Sequence, residues 1–198
     1  MIDTAGLYET LERVANLIRS EERRVGSDAS LQPVHLQALW FLSRANRYSD
    51  TLSSVAQYLG VTEGTTSKTL RVLRERGLTR PERDGDDGRV SHLRLTDAGR
   101  KLIAEELPPA SVTAALAEIE PEEAAALDGA LRTMLREIQA RRGGRAFGVC
   151  RTCRHFGREP AGFRCGLTGE ALRAEETVQL CGEHAAPSGS EGGTSLTG

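Results

Sequence analysis

The chain has 198 residues, 38% of them hydrophobic and 27% charged, with a formal net charge of −2. That length holds one domain and an appendage. No apolar run approaches the roughly 20 residues of a membrane span, and the slightly acidic balance confines any contact with a polyanion to a local patch. The N-terminus carries Asp3 and no basic-then-apolar signal pattern, which predicts a cytoplasmic protein.

In chain order, Leu7, Leu11, Val14, Leu17 and Ile18 predict an amphipathic helix over Thr4–Arg24, broken by Gly26-Ser27-Asp28. Pro33 opens a second helix, and Val34, Leu36, Leu39, Trp40 and Leu42 make it a core helix. His35 and Trp40 read first as core packing, and otherwise as the lining of a pocket for a small-molecule effector. Leu52, Val55, Ala56 and Leu59 share one helical face, with Asp50 as N-cap and Gly60 as the left-handed stop. Thr62 caps the next helix. There Thr66, Leu70 and Leu73 form the buried stripe, while Gly64, Lys68, Arg71 and Glu75 face outwards. Gly77 ends that helix. Leu78–Arg80 and Val90–Leu95 read as short strands around the charged loop Glu82–Arg89, which makes a hairpin wing.

Helix, turn, helix, wing and helix over residues 51–103 is the order of a winged helix-turn-helix. Thr62, Thr65 and Ser67 are small hydrogen-bonding side chains where base edges would lie. Lys68 and Arg71 reach phosphates or guanine acceptors, and Gly64 lets the backbone approach closely. Arg83 and Arg89 suit a minor groove, with Asp84 or Asp87 bracing Arg89. Basic residues outnumber acidic ones between Leu59 and Leu102, against the balance of the whole chain. The plainer readings are a solvated helix face with an ordinary charged turn, and a winged module that binds protein instead of DNA.

These residues resemble the MarR family of bacterial regulators. The resemblance rests on Val55-Ala56-Gln57-Tyr58-Leu59-Gly60-Val61-Thr62, on Leu70-Arg71-Val72-Leu73-Arg74-Glu75-Arg76-Gly77-Leu78, on the wing tip Asp84-Gly85-Asp86-Asp87-Gly88-Arg89, and on Leu95-Thr96-Asp97-Ala98-Gly99-Arg100. It covers residues from about 5 to 142. It implies a homodimer on a near-palindromic double-stranded DNA operator, acting by default as a repressor. Thr62, Thr65, Ser67, Lys68 and Arg71 would read bases, and Arg89 would serve the wing. Gly88 departs from the family, which often has a second basic residue there. Gly64 departs too, and weakens its helix intrinsically. The first helix and the last two would form the dimer interface. Those last helices are foreshadowed by Leu102, Ile103 and Leu107, a bend at Pro108-Pro109, and a fresh start at Glu120-Pro121-Glu122-Glu123. The final helix carries Leu127, Leu131, Met134, Leu135 and Ile138 and ends near Arg141-Arg142-Gly143.

All four cysteines follow that point, as Cys150-x2-Cys153, Cys165 and Cys181-x2-His184. Clustering of this kind in a reducing compartment points to metal. Zinc is the first choice, held by Cys150, Cys153, Cys181 and His184 with Cys165 spare, or by all four thiolates with His155 and His184 behind them. An iron–sulfur cluster is the alternative, with Gly148, Gly166 and Gly182 freeing amides for sulfur and Phe147, Phe156 and Phe163 excluding water. The same aromatics equally suit the core of a small zinc-stapled module with a purely structural or interaction role. Thiol–disulfide switching completes the list of sensing modes.

The fold expected is mainly α with a small β wing: a winged helix-turn-helix dimer over 1–142, a Cys-rich metal-binding module over 143–186 after a Gly143-Gly144 linker, and a disordered tail over 187–198. No enzyme is expected. A thiol oxidoreductase using Cys150 and Cys153 would place that motif after a strand in an α/β domain, and this segment shows no strand alternation.

Overall fold

Helix α1 (Thr4–Asp28) opens the computed structural model, which describes residues 3–83, 91–141 and 147–187. Asp3 caps it, its carboxylate accepting from the Gly6 N–H at 3.0 Å. The helix does not break at Gly26 as the sequence suggested. It continues to Asp28, because the chain turns back across Gly26: the Leu31 N–H bonds the Gly26 carbonyl at 2.7 Å. A Cβ on Gly26 would stand 2.4 Å from the Leu31 oxygen, so this crossing needs glycine.

Helix α2 (Pro33–Arg44) is the centre of the core, with Leu36, Ala38, Leu39, Phe41 and Leu42 buried. His35 is part of its cap and not of a ligand pocket: its Nδ1 accepts from the Gln32 N–H at 2.9 Å. Burial first, and then Arg76, hold the His35 imidazole below its ordinary value of 6.5. A depressed imidazole gives stability that is complete above 6.5 and is lost as pH falls, since the unfolded chain then takes up a proton the folded chain resists. Urea unfolding should therefore show a lower midpoint at about pH 5.5 than at about pH 7, and His35→Gln should flatten that difference. An unchanged pH slope in His35→Gln would remove His35 from this role.

Helices α3 (Leu52–Leu59) and α4 (Glu63–Glu75) pack on α2 through Val55, Leu70 and Leu73. Gly60 takes the left-handed conformation, φ 67°, that separates them. The wing strands β1 (Thr79–Arg83) and β2 (Ser91–Leu95) are antiparallel, Thr79 opposite Leu95 and Arg83 opposite Ser91. The wing tip lies outside the described residues. Helix α5 (Asp97–Glu106) returns to the core through Ile103, capped by Thr96, which accepts from the Gly99 N–H at 3.1 Å.

Helices α6 (Ala110–Ala117) and α7 (Pro121–Arg141) follow the bend at Pro108-Pro109, and neither has a fully buried side chain. Leu7, Tyr8, Val14 and Leu17 of α1, with Leu116, Leu127, Leu131, Met134, Leu135 and Ile138 of α6 and α7, remain exposed apolar groups. A cavity of about 230 Å³ lies between α1, α2 and the Pro108-Pro109 bend, and Trp40 lines it with Ile18, Glu22 and Gln37. No helix among the described residues is long and apolar enough to cross a membrane.

Residues 147–187 form a small β-rich module. Strands β3 (Gly148–Val149) and β7 (Leu180–Cys181) pair with each other, and β4 (Phe156–Glu159), β5 (Gly162–Cys165) and β6 (Ala171–Leu172) make a three-stranded antiparallel sheet. Single 3-10 turns cover Cys150–Thr152 and Ala174–Val178. The sequence showed no strands here because segments of two to four residues are too short to display a period. The module is seated on the winged domain. Phe147 packs edge-on to Phe41 and Tyr58, with ring centroids 5.4 and 5.5 Å away. The Asn46 N–H bonds the Leu180 carbonyl at 2.9 Å. Gly143-Gly144 and the tail from residue 188 lie outside the described residues.

Candidate nucleic-acid interface and cysteine cavity

Helix α4 is amphipathic in the sense the sequence required. Thr66, Thr69, Leu70 and Leu73 are buried, while Gly64, Thr65, Ser67, Lys68 and Arg71 are exposed on the opposite side. Thr62 is the N-cap, accepting from the Thr65 N–H at 3.2 Å, and the two threonine hydroxyls stand 3.0 Å apart. These hydroxyls are therefore positioned at the helix start, where base edges are read. Lys68 makes no hydrogen bond or ion pair among the described residues. Arg71 meets only Glu75, at 3.8 Å on an exposed face. Between α4 and the wing runs a groove of about 260 Å³, with Ser67, Arg71 and Arg74 on the helix side and Pro81, Ser91 and Leu93 on the wing side.

Part of the local positive charge is tied up in bonds within the fold. Arg76 donates to the Ala29 carbonyl at 3.0 Å, and Arg100 to the Leu95 carbonyl at 2.7 Å. Arg94 bonds Glu82 at 2.7 Å and also the Asp50 carboxylate. These three arginines hold parts of the fold together, although Arg76 and Arg100 are themselves exposed, as are Lys68, Arg71, Arg74 and Arg80. Arg83 is exposed at the end of β1. Arg89, with its proposed braces Asp84 and Asp87, lies outside the described residues.

Asp50 corrects the sequence reading most sharply. It does not cap α3. Thr51 does, accepting from the Ser54 N–H at 3.3 Å. Asp50 is 2% exposed instead, and its carboxylate faces His92 and Arg94 of β2. Its main-chain carbonyl accepts the Leu93 N–H at 2.7 Å. Burial pushes the Asp50 carboxyl up, with His92 and Arg94 pulling it back. The expected alternation of β2 holds, with Leu93 and Leu95 towards the core, while His92 and Arg94 on the other face meet a buried anion. A lone acid ahead of an apolar helix was the only signal, and a cap explains it equally well at the level of sequence.

The four cysteines are free thiols, and all four line one cavity of about 20 Å³. The other walls are Asn46 and Tyr48 from the turn between α2 and α3, with His155, Phe156, Leu167 and Glu183. Burial, and then Cys181, Cys165 and Cys153, push the Cys150 thiol up to about 11. Burial also raises Cys181, against the Asn46 side chain and the Glu183 backbone. Cys153 Sγ already accepts the Ala185 N–H at 3.4 Å. Cys165 thus joins the other three. His184 does not line that cavity: its imidazole lies over Gly148, where a Cβ would fall 2.4 Å from the ring, and its Nε2 is 3.0 Å from the Thr152 hydroxyl. Among the described residues, no group of three or more His, Cys, Asp or Glu side chains is arranged to hold a metal ion. Sequence reasoning missed the contribution of the winged domain to this cavity, since Asn46 and Tyr48 lie far from the cysteines in the chain.

Comparison with known proteins bears on the winged part. Residues 31–99 match the family model described as a winged helix DNA-binding domain. Among solved structures, the chain is similar to the transcriptional regulator PA3341, at 29% identity and TM-score 0.59, over 68% of this chain and 98% of that one. It is also similar to a MarR family regulator from Silicibacter pomeroyi, at 27% identity and TM-score 0.56, over 65% of this chain and 87% of that one. The fold of Sco3205, a MarR family regulator from Streptomyces coelicolor in complex with DNA, is shared at 22% identity and TM-score 0.58, over 70% of this chain and 93% of that one. No curated protein matches the sequence. Residues 31–99, with their amphipathic α4 and antiparallel wing, thus form a winged helix domain of the DNA-binding kind, in a chain similar to regulators of the MarR type.

Proposed function

We propose that the protein is an operator-binding transcriptional regulator that works as a homodimer, by default as a repressor, in the cytoplasm. The observation that carries this reading is the exposed face of α4, where Thr62, Thr65, Ser67, Lys68 and Arg71 stand beside the groove against the wing. Structures of the same fold have been solved bound to DNA. The uncovered apolar side chains of α1, α6 and α7 supply a surface for a second copy, which would set two recognition helices about 34 Å apart on successive turns of one duplex face. The cavity beside Trp40 is the place for a small-molecule effector. The cysteine cavity is the place for a thiophilic metal, zinc or iron–sulfur, and hence for metal or redox sensing. Oxidoreductase chemistry is disfavoured, because the Cys150–Cys153 motif lies in a 3-10 turn after the two-residue strand β3 and does not open an α-helix.

Selection from random duplexes tests this directly, followed by a salt titration of the selected site. The expected result is an inverted-repeat consensus bound by a dimer, with affinity falling steeply as salt rises, by about 0.9 log units per log of salt for each phosphate contacted. Enrichment of no sequence, with binding insensitive to salt, would overturn the operator reading.

A further inference from the structure

The cavity between α1, α2 and the Pro108-Pro109 bend holds a charge that its surroundings do not explain. Most of its wall is apolar, with Ile18 from α1, Trp40 from α2, Leu107 and the two prolines of the bend, and Val112 from α6. Two polar side chains complete it, Glu22 and Gln37. Glu22 is 9% exposed, and its carboxylate accepts from the Gln37 amide at 2.8 Å. It forms no ion pair among the described residues. Arg19, the one cation that acts on it, is exposed and donates to Asn16 at 2.7 Å. Burial therefore holds the Glu22 carboxyl above its ordinary value, against the smaller pull of Gln37 and Arg19.

A carboxylate taken out of water is ordinarily paired with a cation. This one lines an apolar space instead. Gln37 spends an amide N–H on Glu22 and keeps its carbonyl oxygen as a second acceptor. Two acceptors on neighbouring helices, one of them an acid, suit a donor that is itself positive. An anionic head group would meet Glu22 as a like charge, and a neutral ligand would leave the carboxylate as it stands. The Trp40 ring already holds the Arg44 guanidinium, 5.5 Å from its centroid and outside the cavity lining. Inside the cavity the indole thus serves as apolar wall, and Glu22 supplies the charge.

Size narrows the ligand further. About 230 Å³ is less than the roughly 300–1,000 Å³ of pockets for drug-sized molecules, which leaves room for a single ring or a short branched chain. The position gives an occupant leverage. The bend is the joint between α5, which closes the winged part, and the α6–α7 pair, so a body wedged there bears on the angle between the two.

We propose that this cavity binds a small apolar amine in its protonated form, the ammonium donating to the Glu22 carboxylate and the hydrocarbon body lying against Trp40 and the Pro108-Pro109 bend. That the ligand acts as an effector rests on the reading of this cavity given above, whereas the preference for a cation rests on Glu22.

The test titrates the full chain with phenethylammonium, with phenethyl alcohol as its neutral counterpart and hydrocinnamate as its anionic one. Binding is followed by the fluorescence of Trp40, the single tryptophan of the chain. The cation is expected to bind on the order of tenfold more tightly than the alcohol, and the anion most weakly. Glu22→Gln should bring the cation down to the affinity of the alcohol and leave the alcohol unchanged. Val112→Phe, which fills the cavity without touching its charge, should weaken cation and alcohol alike, and it keeps the test decisive if Glu22→Gln does not fold. Binding of the alcohol or of hydrocinnamate as tight as that of the cation overturns the charge preference and leaves an effector pocket standing. So does a cation affinity that Glu22→Gln does not change. No response to any of the three at millimolar concentration removes both the ligand class and the pocket. Cation binding that leaves affinity for the selected duplex unchanged keeps the site and removes the effector reading.

Discussion

Replacing Lys68 and Arg71 together by alanine is expected to lower operator affinity by at least about 100-fold at near-physiological salt, with the fold and oligomeric state unchanged. Both side chains stand on the exposed face of α4, and neither is needed by the core. Arg71 loses only its 3.8 Å approach to Glu75, an exposed pair worth a few tenths of a kcal/mol. In a homodimer each change removes two contacts, so four disappear at once. If all four are to phosphates, the slope of log affinity against log salt should become shallower by about 3 to 4. If Arg71 reads a guanine, discrimination at one position of each half-site should relax instead. Fluorescence anisotropy on the selected duplex, in a series of salt concentrations, separates these outcomes. Unchanged binding by the double variant would show that α4 is not the recognition helix.

The second large effect is expected at Asp50. Asp50→Ala should destabilise the protein by roughly 3 to 4 kcal/mol, because it leaves His92 and Arg94 facing a buried position with no anion. Arg94 keeps its 2.7 Å bond to Glu82, which limits the loss. Asp50→Asn restores one acceptor and should lose less. The damage should concentrate in the wing, so operator affinity should fall although no DNA-facing residue has changed. Urea unfolding measures the first effect. A stability within about 0.5 kcal/mol of the parent would mean that the carboxylate is not what holds β2.

The winged domain was legible in the sequence because its elements are long enough to show their period. The stripe Thr66, Leu70 and Leu73, the caps Thr62 and Gly60, and the start of α2 at Pro33 all stand where local rules place them. Gly26 was misread for a physical reason. Glycine marks both helix ends and close crossings, and only the approach of Leu31 shows which applies here. Asp50 was misread because its partners are more than forty positions away on β2. Convergence of the cysteines was suggested by their clustering, but which donor joins them was not. Whether Cys165 or His184 turns towards the others depends on two-residue strands and on Gly148, against which the His184 ring is set. Asn46 carried no signal at all, being an ordinary turn residue until β7 is laid beside it.

Helix α7 is 21 residues long and has no fully buried side chain against its own chain. An isolated helix of that length is only marginal in water, since most helical stability in proteins comes from packing an apolar face. In the proposed homodimer the second copy would cover that face, and the order of α7 would then obey mass action. Dilution would act on such a dimer as a mild denaturant, its melting temperature would rise with the logarithm of protein concentration, and cellular abundance would become one of the quantities that set its shape.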